Sequence, residues 1–246
     1  MICGRSAWRA LVIAAGVSSQ AALGATPAPP VSVPDTLAQR LQPCMACHGA
    51  EGRASREGYL PRIAGKPAAY LYQQLLNFRD GRRPYALMNG LLAPLGDAYL
   101  SEIARHFAGL ELPYPAAAAT DLSEAERRLA ARLVAEGDPA RKLPACAACH
   151  GTTMTGTAPF VPGLLGLPRD YLNAQLGAWR AGKRSAQAPD CMAQIAKALI
   201  PEEIGQLSAW LAAQPVPANA KPAVAFASPL PITCGGVAAP AATSRP

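Results

Sequence analysis

The sequence contains the pattern Cys-x-x-Cys-His twice, once in each half of the chain. The two copies are Cys44-Met-Ala-Cys47-His48 and Cys146-Ala-Ala-Cys149-His150. Two thiols on one turn of chain can form thioether bonds to the two vinyl groups of one haem, and the histidine that follows can then bind the iron from the same side. A single copy could instead be a zinc or redox site. Two copies in equivalent positions predict two covalently bound haem c groups, each filling the core of a small folded unit.

Each motif is followed by one copy of a duplicated segment, and the two copies, residues 61–83 and 162–184, align without a gap at an offset of 101 residues. The identical residues that follow the motifs are Pro61 and Pro162, Gly65 and Gly166, Tyr70 and Tyr171, Gln74 and Gln175, and Arg79 and Arg180. This duplication predicts two similar domains, over residues 33–113 and 122–214. Residues 114–121 are then a short linker, and residues 215–246 are a Pro/Ala-rich tail that we expect to be irregular and partly disordered.

The hydrophobic periodicity predicts an all-α fold. Residues 70–78 and 171–179 are expected to form one pair of equivalent helices. Apolar residues recur at helical spacing on a second pair, as Leu100, Ile103 and Phe107 and as Ile204, Leu207 and Leu211. Ser123 with Glu126 is the signature of a capping box that opens a helix, and Pro201 suits the first position of another helix. No segment has a convincing strand pattern.

Residues 1–25 have the layout of a secretory signal peptide, with Arg5 and Arg9 before an apolar run at 11–17 and small residues after it. The apolar run is too short to cross a bilayer, and an uncleaved anchor is the alternative. Export predicts a periplasmic protein with at most peripheral membrane association. The formal charge is +7, but basic and acidic residues are mixed along the chain, with at most a local basic patch at Arg79, Arg82 and Arg83. We therefore expect no nucleic-acid partner.

The five methionines include the candidates for the second axial ligand of each iron. The first leaves with the signal peptide, the second lies inside the first motif, and Met154 follows His150 too closely to reach the opposite face of a haem. Met88 and Met192 remain, each shortly before the last helix of its half. A methionine is more often core filler, but equivalent placement in both repeats favours ligation of the iron.

The cysteines outside the motifs predict a disulfide. Of the seven cysteines four belong to the motifs, and Cys3 leaves with the signal peptide. Cys191 and Cys234 remain, and in an oxidising compartment we expect them to pair and to tie the tail back beside Met192. Two free or intermolecular thiols are the alternative.

With these motifs placed, residues 35–214 resemble the di-haem cytochrome c4 family of tandem class I cytochrome c domains. The likeness is carried by the two motifs, by the Tyr-Leu-x-x-Gln-Leu segment at 171–176 and by the segment 192–203 that begins with Met192. The resemblance implies that the carbonyls of Pro61 and Pro162 accept the Nδ1–H of the haem-binding histidines. It also implies periplasmic electron transfer, commonly towards a terminal oxidase. The tail with Cys234, Cys191 beside the predicted ligand and a short first helix depart from the family pattern and leave the partner open.

These features predict an electron carrier with no catalytic substrate site, because an iron with two protein ligands has no open position. Its expected partners are redox proteins: a terminal oxidase, a cytochrome bc-type complex or a periplasmic dehydrogenase. One alternative is an electron-accepting subunit of such a dehydrogenase. A di-haem peroxidase would need a second histidine on one haem, which only His106 could supply, and we interpret His106 as a structural or surface residue.

Overall fold

The duplicated sequence folds into two sets of five helices, in a computed structural model that describes residues 35–54 and 58–237. The first set is α1 (Leu37–Arg40), α2 (Gln42–His48), α3 (Ala68–Arg79), α4 (Ala86–Leu92) and α5 (Asp97–Ala108). The second set is α6 (Glu124–Ala135), α7 (Ala147–His150), α8 (Arg169–Arg180), α9 (Cys191–Ala198) and α10 (Pro201–Ala212). Short 3-10 turns occupy Ala50–Gly52 and Pro139–Arg141. The predicted signal peptide at residues 1–25 lies outside the described residues.

Each set is built on a long helix packed against the last helix of its half, α3 against α5 and α8 against α10. The predicted apolar stripes face these contacts, since Leu100 and Phe107 are 0% and 2% exposed and Leu207 is 2% exposed. Two separate hydrophobic cores result, one in each half. The predicted helices and the all-α fold class are confirmed, whereas the domain bounds 33–113 and 122–214 stay predictions.

The predicted helix starts are present. The Ser123 hydroxyl accepts from the Glu126 backbone N–H at 3.3 Å, and the Glu126 carboxylate accepts from the Ser123 backbone N–H at 2.8 Å, which completes a capping box before α6. Pro201 is the first residue of α10, where its missing N–H has no helical partner to lose.

One short strand pair was not predicted. Strands β1 (Gly156–Thr157) and β2 (Val161–Pro162) form an antiparallel pair just after the second motif. The tail extends this region, because Ala158 donates to the carbonyl of Ala223 at 2.7 Å and Ala223 donates to that of Gly156 at 2.9 Å. A two-residue strand carries no alternating pattern, so periodicity could not find it.

The connection between the two sets is attached to both of them. The Arg62 guanidinium donates to the carbonyls of Leu112 at 2.6 Å and Pro113 at 2.9 Å. The Tyr114 ring packs so closely on Gly166 that a Cβ there would lie 2.3 Å from it. Further along, Ala118 donates to the carbonyl of the last residue of α10 at 3.0 Å. The connection therefore holds a fixed path across both halves.

Within the described part of the chain, no helix is long and apolar enough to cross a membrane.

A partly buried ion pair fixes the start of α10 and makes stability depend on pH. The Glu203 carboxylate accepts from both Arg141 guanidinium nitrogens at 2.9 Å and from the Ile200 N–H at 3.0 Å. These hydrogen bonds, chiefly those from Arg141, lower the pKa of Glu203. The folded-state pKa lies below the unfolded one, so this contribution is present above the unfolded pKa and is lost as pH falls through the folded pKa.

We expect Glu203→Gln to lower the free energy of unfolding at neutral pH by about 1.5–3 kcal/mol, the range for hydrogen bonds to charged groups. The variant should also lose less stability than the parent protein between neutral and acid pH. Urea unfolding followed by circular dichroism at both pH values measures both effects. Glu124→Gln is the control, because this exposed carboxylate pairs with Arg127 and Arg128 on the surface and should change stability much less than the Glu203 variant. Equal losses in the two variants would contradict the assignment.

Candidate haem sites

A single cavity of about 950 Å³ runs through both halves of the structure. This volume lies at the upper end of the range of about 300–1,000 Å³ that ligand pockets occupy. The eight residues predicted to bind haem all line it: Cys44, Cys47, His48, Met88, Cys146, Cys149, His150 and Met192. The two predicted sites are thus parts of one continuous space.

The four motif thiols are free of disulfides and are available to a cofactor. The first motif forms the end of α2 and the second forms α7, and Gly49 and Gly151 end these helices directly after the histidines, at φ of 74° and 80°. Positive φ is easily adopted only by glycine. Burial raises the pKa of Cys146 to about 11, so its thiol is neutral at pH 7.

The alternative of a zinc site finds no support in the described residues. They contain no group of three or more His, Cys, Asp or Glu side chains that could hold a metal ion. Two thiols and one imidazole on one turn of chain, against an apolar cavity, fit covalent attachment of a haem instead.

Both motif histidines are oriented by a proline carbonyl. His48 Nδ1 lies 2.8 Å from the Pro61 oxygen, and His150 Nδ1 lies 2.7 Å from the Pro162 oxygen. The hydrogen bonds implied by the family resemblance are therefore present. Burial lowers the pKa of both histidines, which favours neutral imidazoles with Nδ1–H donating and Nε2 free to bind a metal.

Only two of the methionines in the described part of the chain line the cavity, Met88 on α4 and Met192 at the start of α9. Met45 instead accepts a hydrogen bond from the Glu51 backbone at 3.4 Å, and Met154 is packed in the core of the second half. His106 is not among the residues that line this cavity. The structure thus places the two predicted methionines with the motifs and leaves the other candidates outside.

Equivalent arginines hold the segments that follow the two methionines. Arg79, at the end of α3, donates to the Leu95 carbonyl at 3.1 Å and to Asp97 at 2.6 Å. Arg180, at the end of α8, donates to the carbonyls of Lys197 and Leu199. These contacts fix the segments between each methionine helix and the last helix of its half.

The cavity lining contains a cluster of side chains from both halves that the sequence analysis missed. The side-chain oxygens of Gln74 and Gln175 each accept from both Arg83 and Arg184, and Arg83 also donates to the Tyr171 hydroxyl at 2.9 Å. The pairs Gln74/Gln175 and Arg83/Arg184 occupy equivalent positions of the repeat, so the cluster has approximate twofold symmetry. The sequence allowed at most a local basic patch here, and the structure reduces it further, because Arg83 is only 8% exposed and Arg79 and Arg82 pair with Asp80.

This cluster brings two buried cations to the cavity. Burial lowers the pKa of Arg184 to about 10, a value at which the side chain stays charged at pH 7. In the described residues no carboxylate forms an ion pair with Arg83 or Arg184; their guanidinium groups lie over the rings of Phe78 at 4.3 Å and Trp179 at 3.6 Å. The buried Trp179 indole N–H also has no hydrogen-bond partner there. Two cations and an unpaired donor fit an anionic group bound in the cavity.

The predicted disulfide between Cys191 and Cys234 is present. It ties the tail to the residue beside Met192. Leu230, Ile232 and Val237 of the tail line the cavity. The tail therefore closes part of the second site.

Comparison with known proteins gives the family. No protein-family model matches the sequence. The chain is 35% identical to the thiosulfate dehydrogenase electron acceptor of Thiomonas intermedia over 178 residues, 70% of this chain and 79% of that protein. It is 33% identical to cytochrome c4 of Pseudomonas aeruginosa over 171 residues, 68% of this chain and 82% of that protein. The chain belongs to the cytochrome c4 family. It is accordingly an electron-transfer protein with covalently bound haem c.

Solved structures of cytochrome c4 and of a thiosulfate dehydrogenase have the same fold. Reduced cytochrome c4 from Pseudomonas stutzeri superposes with a TM-score of 0.61 at 28% identity, over 71% of this chain and 95% of that one. A thiosulfate dehydrogenase (TsdBA) from Marichromatium purpuratum superposes with a TM-score of 0.63 at 32% identity, over 72% of this chain. The match spans 37% of the thiosulfate dehydrogenase chain.

We expect loss of the disulfide to destabilise the protein and open the second site. Cys191→Ser combined with Cys234→Ser removes a link across 43 residues, which should lower the free energy of unfolding by roughly 3–4 kcal/mol in the chain-entropy model. Denaturant unfolding measures this loss.

The unsubstituted protein treated with a thiol reductant is the matched control, because thiol exchange opens the disulfide and leaves thioether bonds intact. Reductant and substitution should lower the unfolding midpoint equally. An unchanged midpoint in both would show that the tail does not contribute to stability.

Proposed function

We propose that this member of the cytochrome c4 family holds two haems, each bound by one histidine and one methionine, and carries single electrons from a periplasmic dehydrogenase towards a terminal oxidase. The first haem is assigned to Cys44, Cys47, His48 and Met88, and the second to Cys146, Cys149, His150 and Met192. The observation that carries the proposal is the continuous cavity lined by all eight residues.

The residues at each site would have separate roles in holding the haem. The cysteines fix the cofactor, the proline-oriented histidine binds one side of the iron, and the methionine closes the other. Each bound haem supplies a one-electron iron couple, and a methionine ligand raises its reduction potential. Because these side chains would hold the iron from both sides, they would leave no open position for oxygen or peroxide. The position of His106 outside the cavity wall also argues against the peroxidase alternative.

Arg83, Arg184 and Trp179 would bind the haem propionates. Their guanidinium and indole groups supply charge-assisted and neutral donors in the cavity lining, and buried arginines suit carboxylates. Because the same cluster joins the two halves, propionate binding would also stabilise their contact. The shared cavity supports electron exchange between the sites inside one molecule.

Export and localisation are part of the proposal. Residues 1–25 would act as a cleaved signal peptide and deliver the chain to the periplasm. The Cys191–Cys234 disulfide supports this location, because disulfides persist in oxidising compartments. The proposed domains are 33–113 and 122–214, joined by 114–121.

We expect the purified protein to contain two haems per chain and the weak methionine-to-ferric-iron absorption band of both sites. Met88→Ala and Met192→Ala should each keep two haems, because the thioether bonds remain, and each should lose about half of the band. Each variant should also lower one reduction potential, since the methionine ligand favours ferrous iron.

Met154→Leu is the matched control, because this buried methionine lies outside the cavity wall, and it should leave the band unchanged. One haem per chain, or a band that survives in both Met88→Ala and Met192→Ala, would contradict the assignment.

The donor we propose is a thiosulfate dehydrogenase. This rests on the relative named as a thiosulfate dehydrogenase electron acceptor and on the match to part of a thiosulfate dehydrogenase chain. Mixing the oxidised protein with such an enzyme and thiosulfate should reduce the haems, with an association rate constant of about 10⁵–10⁷ M⁻¹s⁻¹, typical of specific protein pairs. Stopped-flow absorption measures it.

Thiosulfate without the enzyme is the control and should give no rapid reduction. If the enzyme reduces the haems no faster than thiosulfate alone, and a cytochrome bc-type complex with its quinol does reduce them, the chain is a general carrier rather than the acceptor of this dehydrogenase.

A further inference from the structure

We propose that Lys66, a residue of the first half, raises the reduction potential of the second haem site and couples its reduction to proton uptake. The inference rests on the proposed function, since it needs a haem at each motif. It assigns a role to a buried cation that the proposed function leaves unassigned.

Lys66 reaches across to the segment that orients the second haem ligand. It is 4% exposed, it lines the cavity, and its Nζ donates to the Gly163 carbonyl at 3.0 Å. Gly163 directly follows Pro162, whose carbonyl lies 2.7 Å from His150 Nδ1. The ammonium group is therefore anchored beside the proximal side of the second site, although it belongs to the other half.

The charge on Lys66 has no anionic partner among the described residues. Its ionisable neighbours are the Arg62 guanidinium on its own segment, Tyr114 of the linker with its ring 5.9 Å away, and His150 of the second motif. Arg62 is itself engaged by the carbonyls of Leu112 and Pro113. Burial, and to a smaller extent Arg62, lower the pKa of Lys66 to about 7. Lys66 can thus gain and lose a proton near neutral pH.

The repeat gives the first site no equivalent lysine, because the position in the second half that corresponds to Lys66 is Leu167, a buried apolar residue. Arg62, which follows Pro61 at the first site, is also a buried cation, but an arginine side chain stays protonated. The pH-dependent part of the effect is therefore directed at the second site.

The sign follows from the charges. A nearby cation opposes ferric iron, which carries one positive charge more than ferrous iron, so protonated Lys66 favours the reduced state. When the second site takes one electron from its redox partner, the Lys66 amine takes one proton from water. When the site passes the electron on, the proton is released. The potential of the second site should consequently fall as pH rises through about 7.

Redox titration of the holoprotein across the neutral pH range tests the proposal, with the second site identified as the one whose potential Met192→His lowers. Lys66→Met should abolish the pH dependence of that potential. It should also lower the equilibrium constant for reduction of the second site at acid pH about tenfold, which is a fall in potential of about 59 mV for one electron. The potential of the first site should stay unchanged. Lys66→Arg should keep the high potential and lose only the pH dependence, because arginine stays protonated. Lys197→Met removes an exposed lysine of the second half and should change nothing.

The outcomes separate this inference from the proposed function. Fewer than two haems, or no methionine–iron band, would overturn the proposed function. Two intact haems with a second-site potential that does not vary with pH, or with equal shifts in Lys66→Met and Lys197→Met, would overturn the role of Lys66 alone. If Lys66→Met does not fold, the loss of pH dependence in Lys66→Arg decides the question, and its persistence overturns the proposal.

Discussion

The hydrogen bond from each motif histidine to a proline carbonyl is the contact on which both halves of the structure depend. It links the Cys-x-x-Cys-His helix to the start of the segment that leads into the long helix, at 2.8 Å in the first half and 2.7 Å in the second. It also fixes which imidazole nitrogen faces the cavity. The cysteines, the methionine and the apolar walls can only serve one cofactor once this ring has a fixed orientation.

The duplication does more than repeat one site, because it also supplies the contact between the two halves. The long helices α3 and α8 carry Gln74 and Gln175, and the following loops carry Arg83 and Arg184, so each half contributes the same side chains to the contact. Two features break this symmetry, and both lie at the second site. Lys66 faces the second site while its counterpart Leu167 is apolar, and the disulfide ties the tail to the residue beside Met192.

Local patterns predicted most of the fold and the chemistry of the site. The capping box at Ser123, the buried stripe of Leu100 and Phe107 and the Cys191–Cys234 disulfide follow from residue type and spacing, and the structure contains all three. Arg83 could not be placed this way, because its burial results from contacts with α8, far away in the sequence. The strand pair at β1 and β2 is fixed by the tail and by hydrogen bonds rather than by periodicity. The sequence did contain one indication of this cluster, because Arg83 and Arg184 occupy equivalent positions of the repeat.

The position of the disulfide imposes a condition on how the protein matures. Cys191 and Cys234 line the same cavity as Cys146 and Cys149. Two thiols in this cavity must therefore be oxidised to a disulfide, while the other two must stay reduced to react with the cofactor. Thiol exchange requires a thiolate, and burial keeps Cys146 protonated. Burial of Cys146 thus disfavours its entry into a disulfide while Cys191 and Cys234 pair.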